Sequence, residues 1–385
     1  MKLHEYQVKR LFARHGIPTP AGRVAASALE AQQIAVELGK PVILKVQVLI
    51  NGRGKSGGIL LAKTPVEAFE VATSLFSLRP KDLPVRKVLV DEVIPISQEI
   101  YLGIIIDRSL RLPVLMATAE GGANIEELIL DKPEKVFRVL IDPLVGLHEY
   151  QVRELAASID LPRSNWRAFA SIAFSLWQIF IETNALMIEI NPLVLTPEEK
   201  LVALDGKIDL DENAINLHPD LAELRDTDVE SPLEAEARKF NMTYLHHAGG
   251  DIGVIVNGAG LCMATLDTLH IYDGRPANFM DIGKDPTPSK IYTAFKIVSS
   301  NSEISVILFN IFGGLIPCDE IAQGILTAIS QKPGLPAVVR LDGVRAAEGC
   351  KLLEKSGVTV TASLAEAAAR AIALAHGEKN EYFGQ

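Results

Sequence analysis

The sequence predicts a two-domain protein in which an N-terminal α+β domain is followed by a C-terminal α/β domain with a doubly wound parallel sheet. A chain of 385 residues is too long for one ordinary hydrophobic core. Beyond residue 240 strands and helices alternate strictly, whereas the earlier part mixes helices with antiparallel patterns. In residues 217–240 charge rises and apolar periodicity weakens, which is typical of a bridging segment. We therefore expect domains at residues 1–240 and 241–385.

The N-terminal domain is expected to open with small α+β units. Apolar residues recur at helical spacing from Leu3 to Ala13, and residues 28–38 form a second helical pattern. A strand at 40–48, a glycine-rich loop and a returning strand at 58–63 predict a hairpin. Two further strands lie at 87–94 and 99–108, and residues 113–122 follow with a second glycine pair near Glu120. An antiparallel sheet is expected here.

The later part of this domain combines helices with a pair of strands. Residues 148–185 are mostly helical by period, and the strands at 186–196 and 200–214 are joined by a short turn. We interpret the apolar stripe of the helical part as core and not as an aromatic ligand site. The stripe consists of Trp166, Phe169, Ala173, Leu176, Trp177 and Phe180.

The C-terminal domain shows five strands, each followed by a helical stretch. This alternation predicts a parallel, flavodoxin-like or similar sheet with ligands at the carboxyl ends of its strands. The turns VNGAGL (256–261) and NIFGGL (310–315) lead from strand to helix and open helix N-termini to an anion. The strands are predicted at 251–258, 278–283, 304–310, 337–343 and 358–362.

Composition excludes several classes of protein. A formal charge of -10 and a pI near 5.4 argue against nucleic-acid binding. No apolar run is long enough to cross a bilayer, and the charged N-terminus is not a secretory signal, so the chain is expected to start near Met1 unless an organellar leader has been cleaved. Three isolated cysteines predict neither disulfides nor zinc and favour the cytoplasm, with the mitochondrial matrix as the alternative. A mean hydropathy of +0.20 favours an apolar interface with another subunit.

The glycine-rich loop QVLINGRGKSGG (47–58) predicts a cradle for nucleotide phosphates. Its glycines allow close approach of the backbone, and Lys45, Arg53 and Lys55 supply positive charge. The spacing matches neither the Walker A nor the dinucleotide motif. A flexible basic hairpin loop is the alternative, but a lysine inside an apolar strand, as at position 45, needs a fixed negative partner.

An oxygen-rich cluster is expected on the last strands of the N-terminal domain. Glu189 and Asn191 are two residues apart on a strand, so their side chains share a face, and Asp205 lies on the next strand. Such an incomplete shell suits Mg²⁺ when nucleotide phosphates complete it. A hydrogen-bonded polar cluster within a hairpin is the alternative.

A second anion site is expected in the C-terminal domain. Gly313–Gly314 ends an apolar strand, and Pro317 fits the first turn of the following helix. The amides of Leu315 and Ile316 would then face a phosphoryl group, with Asn257 as a second contact. A glycine turn needed only for tight packing is the alternative.

Seven ordered motifs resemble the β subunits of succinyl-CoA synthetases. The resemblance implies an ATP-grasp domain followed by a flavodoxin-like domain. It also implies an enzyme that interconverts an acid, CoA and a nucleoside triphosphate with an acyl-CoA, the diphosphate and phosphate. The motifs are HEYQ (4–7), GRGKSGG (52–58), EINPLV (189–194), LDGKIDLDENA (204–214), VNGAGL (256–261), PANFMDIG (276–283) and NIFGGLIPCD (310–319).

The resemblance also implies roles for individual residues. ATP or ADP, with GTP as the alternative, would be held by Lys45, Gly52, Arg53, Gly54, Asp91, Glu92, Ile94 and Glu99. Mg²⁺ would be held by Asn191 and Asp205, and Glu189 would orient a phosphohistidine. A dicarboxylate substrate would contact Asn257, Gly314, Leu315 and Ile316.

The same resemblance implies a partner. The phosphohistidine and the CoA site would lie on an α subunit, since no histidine of this chain stands in a comparable glycine-rich setting. The chain alone would therefore be catalytically incomplete. An ATP-grasp carboxylate–amine ligase that acts without a histidine relay is an alternative from another class, and it leaves the C-terminal sheet unexplained.

Two departures from the family pattern concern the acid. Lys284–Pro286 stand where further glycines are usual, and Pro317 stands where an arginine is usual. Succinate is the expected acid, with malate or citrate as alternatives. A nucleotide-binding regulatory subunit without phosphoryl transfer is the non-enzymatic alternative.

Overall fold

The computed structural model describes residues 1–49, 57–80, 83–122, 125–227 and 231–377. It forms two compact units, Met1–Val229 and Glu230–Gln385. This division lies upstream of the boundary near residue 240 that the sequence suggests. The helix at Pro232–Lys239 buries Ala237 in the core of the second unit, so the end of the expected bridging segment packs with that unit.

The first unit contains two antiparallel sheets with helices packed on them. Its elements are α1 (Glu5–Arg14), β1 (Gly22–Ala25), α2 (Ala28–Leu38), β2 (Val42–Val46), β3 (Ile59–Ala62), α3 (Pro65–Ser77), β4 (Val88–Glu92), β5 (Gln98–Asp107), β6 (Leu112–Thr118), α4 (Ile125–Asp131), β7 (Phe137–Leu140), α5 (Glu149–Ser158), α6 (Trp166–Glu182), β8 (Ala185–Leu195), β9 (Leu201–Ala203), β10 (Gly206–Leu210) and α7 (Pro219–Ala222).

The smaller sheet has the strand order β1-β4-β2-β3, and α2 and α3 pack on it over an apolar core. The predicted hairpin is confirmed for its two strands, in which Lys45 pairs with Ile59. Its connecting loop lies outside the described residues. The expectation that residues 87–94 share an antiparallel sheet with the strand at 99–108 is wrong, because β4 pairs with β1 and β2, whereas β5 pairs with β6 and β8. A strand's own pattern does not reveal its neighbours.

The larger sheet has the order β10-β8-β5-β6-β7, with β9 also paired to β8. The interpretation of the aromatic stripe as core is confirmed, because Phe169, Leu176 and Phe180 are buried against this sheet. The predicted strand at 200–214 consists of two short strands, β9 and β10, and Asp205 lies in the link between them.

Helix α1 lies on β10 because a glycine there leaves room for it. The predicted helix is confirmed, with His4 as N-cap and Gln7 completing a capping box. Phe12 and Val8 are fully buried. A Cβ added at Gly206 would overlap the Phe12 ring, so only glycine allows this approach.

The second unit has one sheet with helices after each parallel strand. Its elements are α8 (Pro232–Lys239), β11 (Thr243–His246), β12 (Ile252–Val256), α9 (Ala259–Ile271), β13 (Asn278–Asp281), α10 (Pro288–Ser299), β14 (Val306–Gly313), α11 (Cys318–Ile329), β15 (Ala337–Gly343), α12 (Ala346–Lys355), β16 (Thr359–Val360) and α13 (Leu364–Ala375).

The strand order in this unit is β11-β13-β12-β14-β15-β16, and every pairing is parallel except β11 with β13. The five parallel strands thus follow the flavodoxin-like order 2-1-3-4-5, and the predicted fold is confirmed. Strand β11 was not predicted, because a four-residue edge strand with three exposed residues carries little pattern. Among the described helices of the whole chain, none combines the length and hydrophobicity needed to cross a membrane.

Candidate active site

Lys45 of β2 lies where the two sheets of the first unit meet. Its side chain is only 7% exposed. The Nζ atom donates hydrogen bonds to Glu5 Oε1 at 2.7 Å and to the main-chain oxygen of Leu204 at 2.8 Å. It also lies 3.5 Å from Asp91 Oδ2. Because Leu204 precedes Asp205, this contact brings the strand of the glycine-rich hairpin next to the acidic strands.

Two buried carboxylates and two buried lysines form one network here, which we call the α1 charge cluster (Glu5, Lys9, Lys45 and Asp91). Lys9 Nζ lies 2.5 Å from Asp91 Oδ2 and 3.3 Å from Glu5 Oε1. Burial alone would lower the pKa of the Lys45 ammonium. The nearby carboxylates of Glu5, Asp205 and Asp91 outweigh burial and raise this pKa above its ordinary value, so Lys45 stays charged.

The fixed negative partner that the sequence demands for Lys45 is therefore within the chain. A bound phosphate is not required to stabilise this lysine, which removes one of the sequence arguments for a phosphate cradle. The other predicted members of the cradle, Gly52, Arg53 and Gly54, lie outside the described residues. Helix α1 supplies two residues of this network that sequence reasoning missed: Glu5, which pairs with Lys45, and Lys9, which pairs with Glu5 and Asp91. Their spacing of four residues on one helical face is the signal that could have indicated an ion pair.

The Asp91 and Glu92 side chains point to opposite faces of β4. Asp91 is 1% exposed and belongs to the α1 charge cluster. The Glu92 carboxylate binds Lys40 at 2.7 Å and accepts the Ala21 N–H at 3.1 Å. The hydrogen bond from Lys40 lowers the pKa of Glu92. Contact of this pair with the adenine and ribose of a nucleotide stays a prediction.

Two other residues predicted to contact the nucleotide follow on the same chain segment. Ile94 and Glu99 are both half-buried. The main-chain oxygen of Glu99 accepts the Gly121 N–H at 3.1 Å, which places the loop after β6 beside the start of β5. Their contact with a nucleotide stays a prediction.

Asn191 and Asp205 are adjacent across β8 and the link before β10. The Asn191 N–H donates to the main-chain oxygen of Asp205 at 3.2 Å. Asn191 Oδ1 accepts the Gly122 N–H at 2.7 Å, and Asp205 Oδ1 accepts the Gly206 N–H at 2.8 Å. Each of these oxygens has a second lone pair. An amide oxygen and a carboxylate oxygen on two adjacent segments are suitable ligands for Mg²⁺, which takes few protein ligands when phosphates supply others.

This donor set is a partial one. In the described parts of the chain, no group of three or more His, Cys, Asp or Glu side chains is arranged to hold a metal ion. The pair of Asn191 and Asp205 would therefore need oxygens from a bound ligand or water.

Glu189 is held by a buried tyrosine. The Tyr101 hydroxyl donates to Glu189 Oε2 at 3.1 Å, and Lys207 Nζ lies 3.9 Å from Glu189 Oε1. Gly103 is paired with Glu189 across β5 and β8, and a Cβ added there would lie 2.6 Å from the tyrosine oxygen. Glycine at 103 thus leaves space for the contact. Sequence reasoning missed Tyr101, although a tyrosine within an apolar strand is a signal for a buried hydrogen bond.

A small cleft that is partly open to solvent lies at the end of β2. It is lined in part by Gln47, Lys87 and the pair of His4 and Asp226, whose Nε2 and Oδ2 atoms are 2.8 Å apart. The described residues that were predicted to bind nucleotide or metal do not line it.

The turn after β14 in the second unit is organised by Asn257. Its Nδ2 donates to the main-chain oxygen of Phe312 at 2.8 Å, and its Oδ1 accepts the Phe312 N–H at 2.7 Å. The Gly314 N–H donates a hydrogen bond to the main-chain oxygen of Phe312 at 3.2 Å. Leu315 is 67% exposed and Ile316 is half-buried. Asn257 thus shapes the turn, and substrate contact by these residues stays a prediction.

The two departures from the family pattern are accommodated locally. Asp285 binds Lys290 at 2.7 Å, and this hydrogen bond lowers the pKa of Asp285. Pro317 is the extended N-cap of α11 and not its first helical residue. Gly313 is required for packing, since a Cβ there would lie 2.5 Å from the Sγ atom of Cys318.

Family models match both halves of the chain. The ATP-grasp domain model matches residues 2–195 and the CoA-ligase model matches residues 255–374. A solved structure of ATP citrate lyase from Methanothrix soehngenii has a TM-score of 0.75 and covers 96% of this chain and 98% of that one. At 18% identity this likeness shows the fold alone.

Curated relatives are similar over nearly their full length. The subunit beta of succinate–CoA ligase (ADP-forming) from Chloroflexus aurantiacus is 45% identical and covers 98% of this chain and 100% of the relative. The same subunits from Herpetosiphon aurantiacus and Myxococcus xanthus are 44% and 41% identical, each covering 97% of this chain and 100% and 99% of the relative, respectively. The chain therefore belongs to the family of ADP-forming succinate–CoA ligase β subunits.

Proposed function

We propose that this chain is the nucleotide-binding β subunit of an ADP-forming succinate–CoA ligase. The reaction is succinate + CoA + ATP = succinyl-CoA + ADP + phosphate. Full-length identity of 45% to a curated subunit of that name is the observation that carries the proposal. The contact of Lys45 with Leu204, beside Asp205, supports it, because it brings a charged lysine next to the candidate metal ligands.

The nucleotide phosphates would lie between Lys45 and the strand edge that carries Asn191 and Asp205. The ammonium group would stabilise negative charge that develops during transfer of the γ-phosphoryl group. Asn191 and Asp205 would hold Mg²⁺, which neutralises phosphate charge when bound. The position of Lys45 between two protein carboxylates keeps it protonated over the working pH range.

The transfer itself needs an α subunit. A histidine nitrogen of that partner would attack the γ-phosphorus as the bond to ADP breaks, and Glu189 would orient this histidine. A succinate oxygen would then take the phosphoryl group from the histidine. The CoA sulfur would finally attack the acyl carbon and release phosphate. Asn257 and residues 314–316 would contact the acid together with the partner.

Two features of the chain bear on the acid and on the location. Asp285 of the altered loop at 284–286 is paired with Lys290 of α10. Cys262, Cys318 and Cys350 are free thiols, which fits a reducing compartment. We therefore place the enzyme in the cytoplasm, and we take succinate as its acid because the curated relatives are named succinate–CoA ligase subunits.

The test is to co-purify this chain with the α subunit of the same organism and to measure acid-dependent ADP and acyl-CoA formation. We expect turnover with succinate and much less with malate or citrate. The chain alone should be inactive, and Lys45→Met in the complex should lower kcat/KM for ATP by at least tenfold. Turnover by the chain alone would favour a ligase without a histidine relay. Phosphorylation of the partner without turnover of any acid would favour a regulatory subunit.

A further inference from the structure

We propose that Lys9 of α1 is a positioning residue of the nucleotide site, which holds the Asp91 carboxylate and thereby lets Lys45 exchange this carboxylate for a nucleotide phosphate. The inference rests on the proposed function, in which Lys45 contacts phosphate. It concerns a residue on another element, far from β2 in sequence.

The Lys45 ammonium group makes two short hydrogen bonds and one longer contact. An ammonium group has three donors. Two are directed to Glu5 at 2.7 Å and to the Leu204 oxygen at 2.8 Å. The remaining contact, to Asp91, is long at 3.5 Å. Asp91 is therefore the partner that a phosphate oxygen could replace at least cost.

Asp91 has a second, closer cationic partner in Lys9. Lys9 Nζ lies 2.5 Å from the same Oδ2 atom, one ångström closer than Lys45. Because Asp91 is only 1% exposed, water cannot stabilise its negative charge, and the carboxylate needs a cationic partner. With Lys9 in place, Asp91 stays paired when Lys45 turns to a phosphate.

Glu5 is a shared partner of the two lysines. Glu5 contacts both ammonium groups, at 2.7 Å to Lys45 and 3.3 Å to Lys9. Lys9 and Glu5 are one helical turn apart, so α1 holds both ends of this bridge. The α1 charge cluster balances two positive with two negative side chains. Loss of Lys9 would leave two carboxylates competing for Lys45.

The experiment measures Mg·ADP affinity of the full chain by calorimetry, together with KM and kcat for ATP in the complex with the α subunit. Lys9→Met should weaken Mg·ADP binding roughly tenfold. It should raise KM for ATP while KM for succinate stays unchanged. Arg10→Met, the exposed neighbour on α1, is the matched control and should bind like the wild type.

Two double variants separate positioning from stability. The variant K9M/D91N removes both charges, is expected to fold, and should recover affinity to within about threefold of the wild type. In a Lys45→Met background, Lys9→Met should cause no further loss of affinity. Three outcomes would each overturn the inference. They are wild-type Mg·ADP affinity in K9M, failure of K9M/D91N to recover this affinity, and losses of affinity that add in K9M/K45M. A wild-type chain that does not bind Mg·ADP would instead overturn the proposed function, and the inference with it.

Discussion

Helices α1 and α5 begin with the same five residues, HEYQV, at positions 4–8 and 148–152. Both use the histidine as N-cap with the glutamine completing a capping box. The histidine and tyrosine rings stack in both, with centroids 5.8 Å and 5.7 Å apart. Local sequence thus produces the same helix start twice.

The two helices differ in what surrounds them. Glu5 is buried and contacts Lys9 and Lys45, whereas Glu149 is 65% exposed and pairs only with Arg153 among the described ion pairs of the chain. Each helix has an i,i+4 pair of a glutamate with a cationic residue, but only the pair in α1 is desolvated. A sequence motif thus specifies a helix cap, while the packing partner of the helix decides whether its charges take part in a site.

The largest difference between the two helices is expected when Glu5→Ala is measured beside Glu149→Ala. Removing Glu5 leaves two buried lysines with one carboxylate in the α1 charge cluster, which should lower the free energy of unfolding by about 3–5 kcal/mol. Glu149→Ala should change it little, because exposed pairs contribute little. Both tryptophans of the chain lie in α6, so urea unfolding followed by tryptophan fluorescence reports on the first unit. Equal effects would contradict the role of burial.

The next largest effect is expected from Gly206→Ala. The added Cβ would overlap Phe12 and push α1 off β10, at a cost of about 1–3 kcal/mol. The shift would also move Glu5 away from Lys45, so Mg·ADP binding should weaken. Gly260→Ala in α9, where an added Cβ meets open space, is the control for calorimetric melting. Unchanged melting of the Gly206 variant would show that α1 is not held by this close approach.

The two capping glutamines give a smaller contrast. Gln7 accepts the His4 N–H at 2.8 Å and donates to Leu224 at 2.9 Å, and it is buried. Gln151 makes the equivalent bonds to His148 and Leu140 at a more exposed site. Gln7→Ala should cost about 1–2 kcal/mol and Gln151→Ala about 0.5–1 kcal/mol, because only the former leaves buried groups unpaired. Urea midpoints measured by tryptophan fluorescence check this order, and a larger loss at Gln151 would reverse it.

The smallest effect concerns the end of α1. Hydrogen bonds from Gln178 and then from His15 lower the pKa of Glu182. A carboxyl with a lowered folded-state pKa stabilises the fold above its ordinary pKa near 4.5, and this contribution is lost as pH falls through the lower value. Glu182→Gln should therefore make urea midpoints fall slightly less between about pH 5.5 and about pH 3.5. Glu154→Gln on α5 is the control, and an unchanged pH slope in Glu182→Gln would contradict the assignment.

Much of the fold could be predicted because it depends on local patterns. Helix α1, the β2–β3 hairpin strands and the five parallel strands of the second unit follow from periodicity and turn residues. Strand β4 was placed in the wrong sheet and β11 was missed, because pairing partners and short edge strands leave no local signal. In the candidate site, Asn191 and Asp205 are adjacent as the strand pattern suggests. Their role as metal ligands stays a prediction.

The order of the two domains, the parallel sheet and the family follow from the amino-acid sequence, since each depends on residues close together in the chain or on ordered motifs. The neutralisation of Lys45 by Glu5 and Asp91 could be seen only once the helix and the sheet were placed together in space. The reason is that Coulomb energy and desolvation depend on distance in space and on burial. Residues 5, 45 and 91 acquire both properties only when helix and sheet pack together.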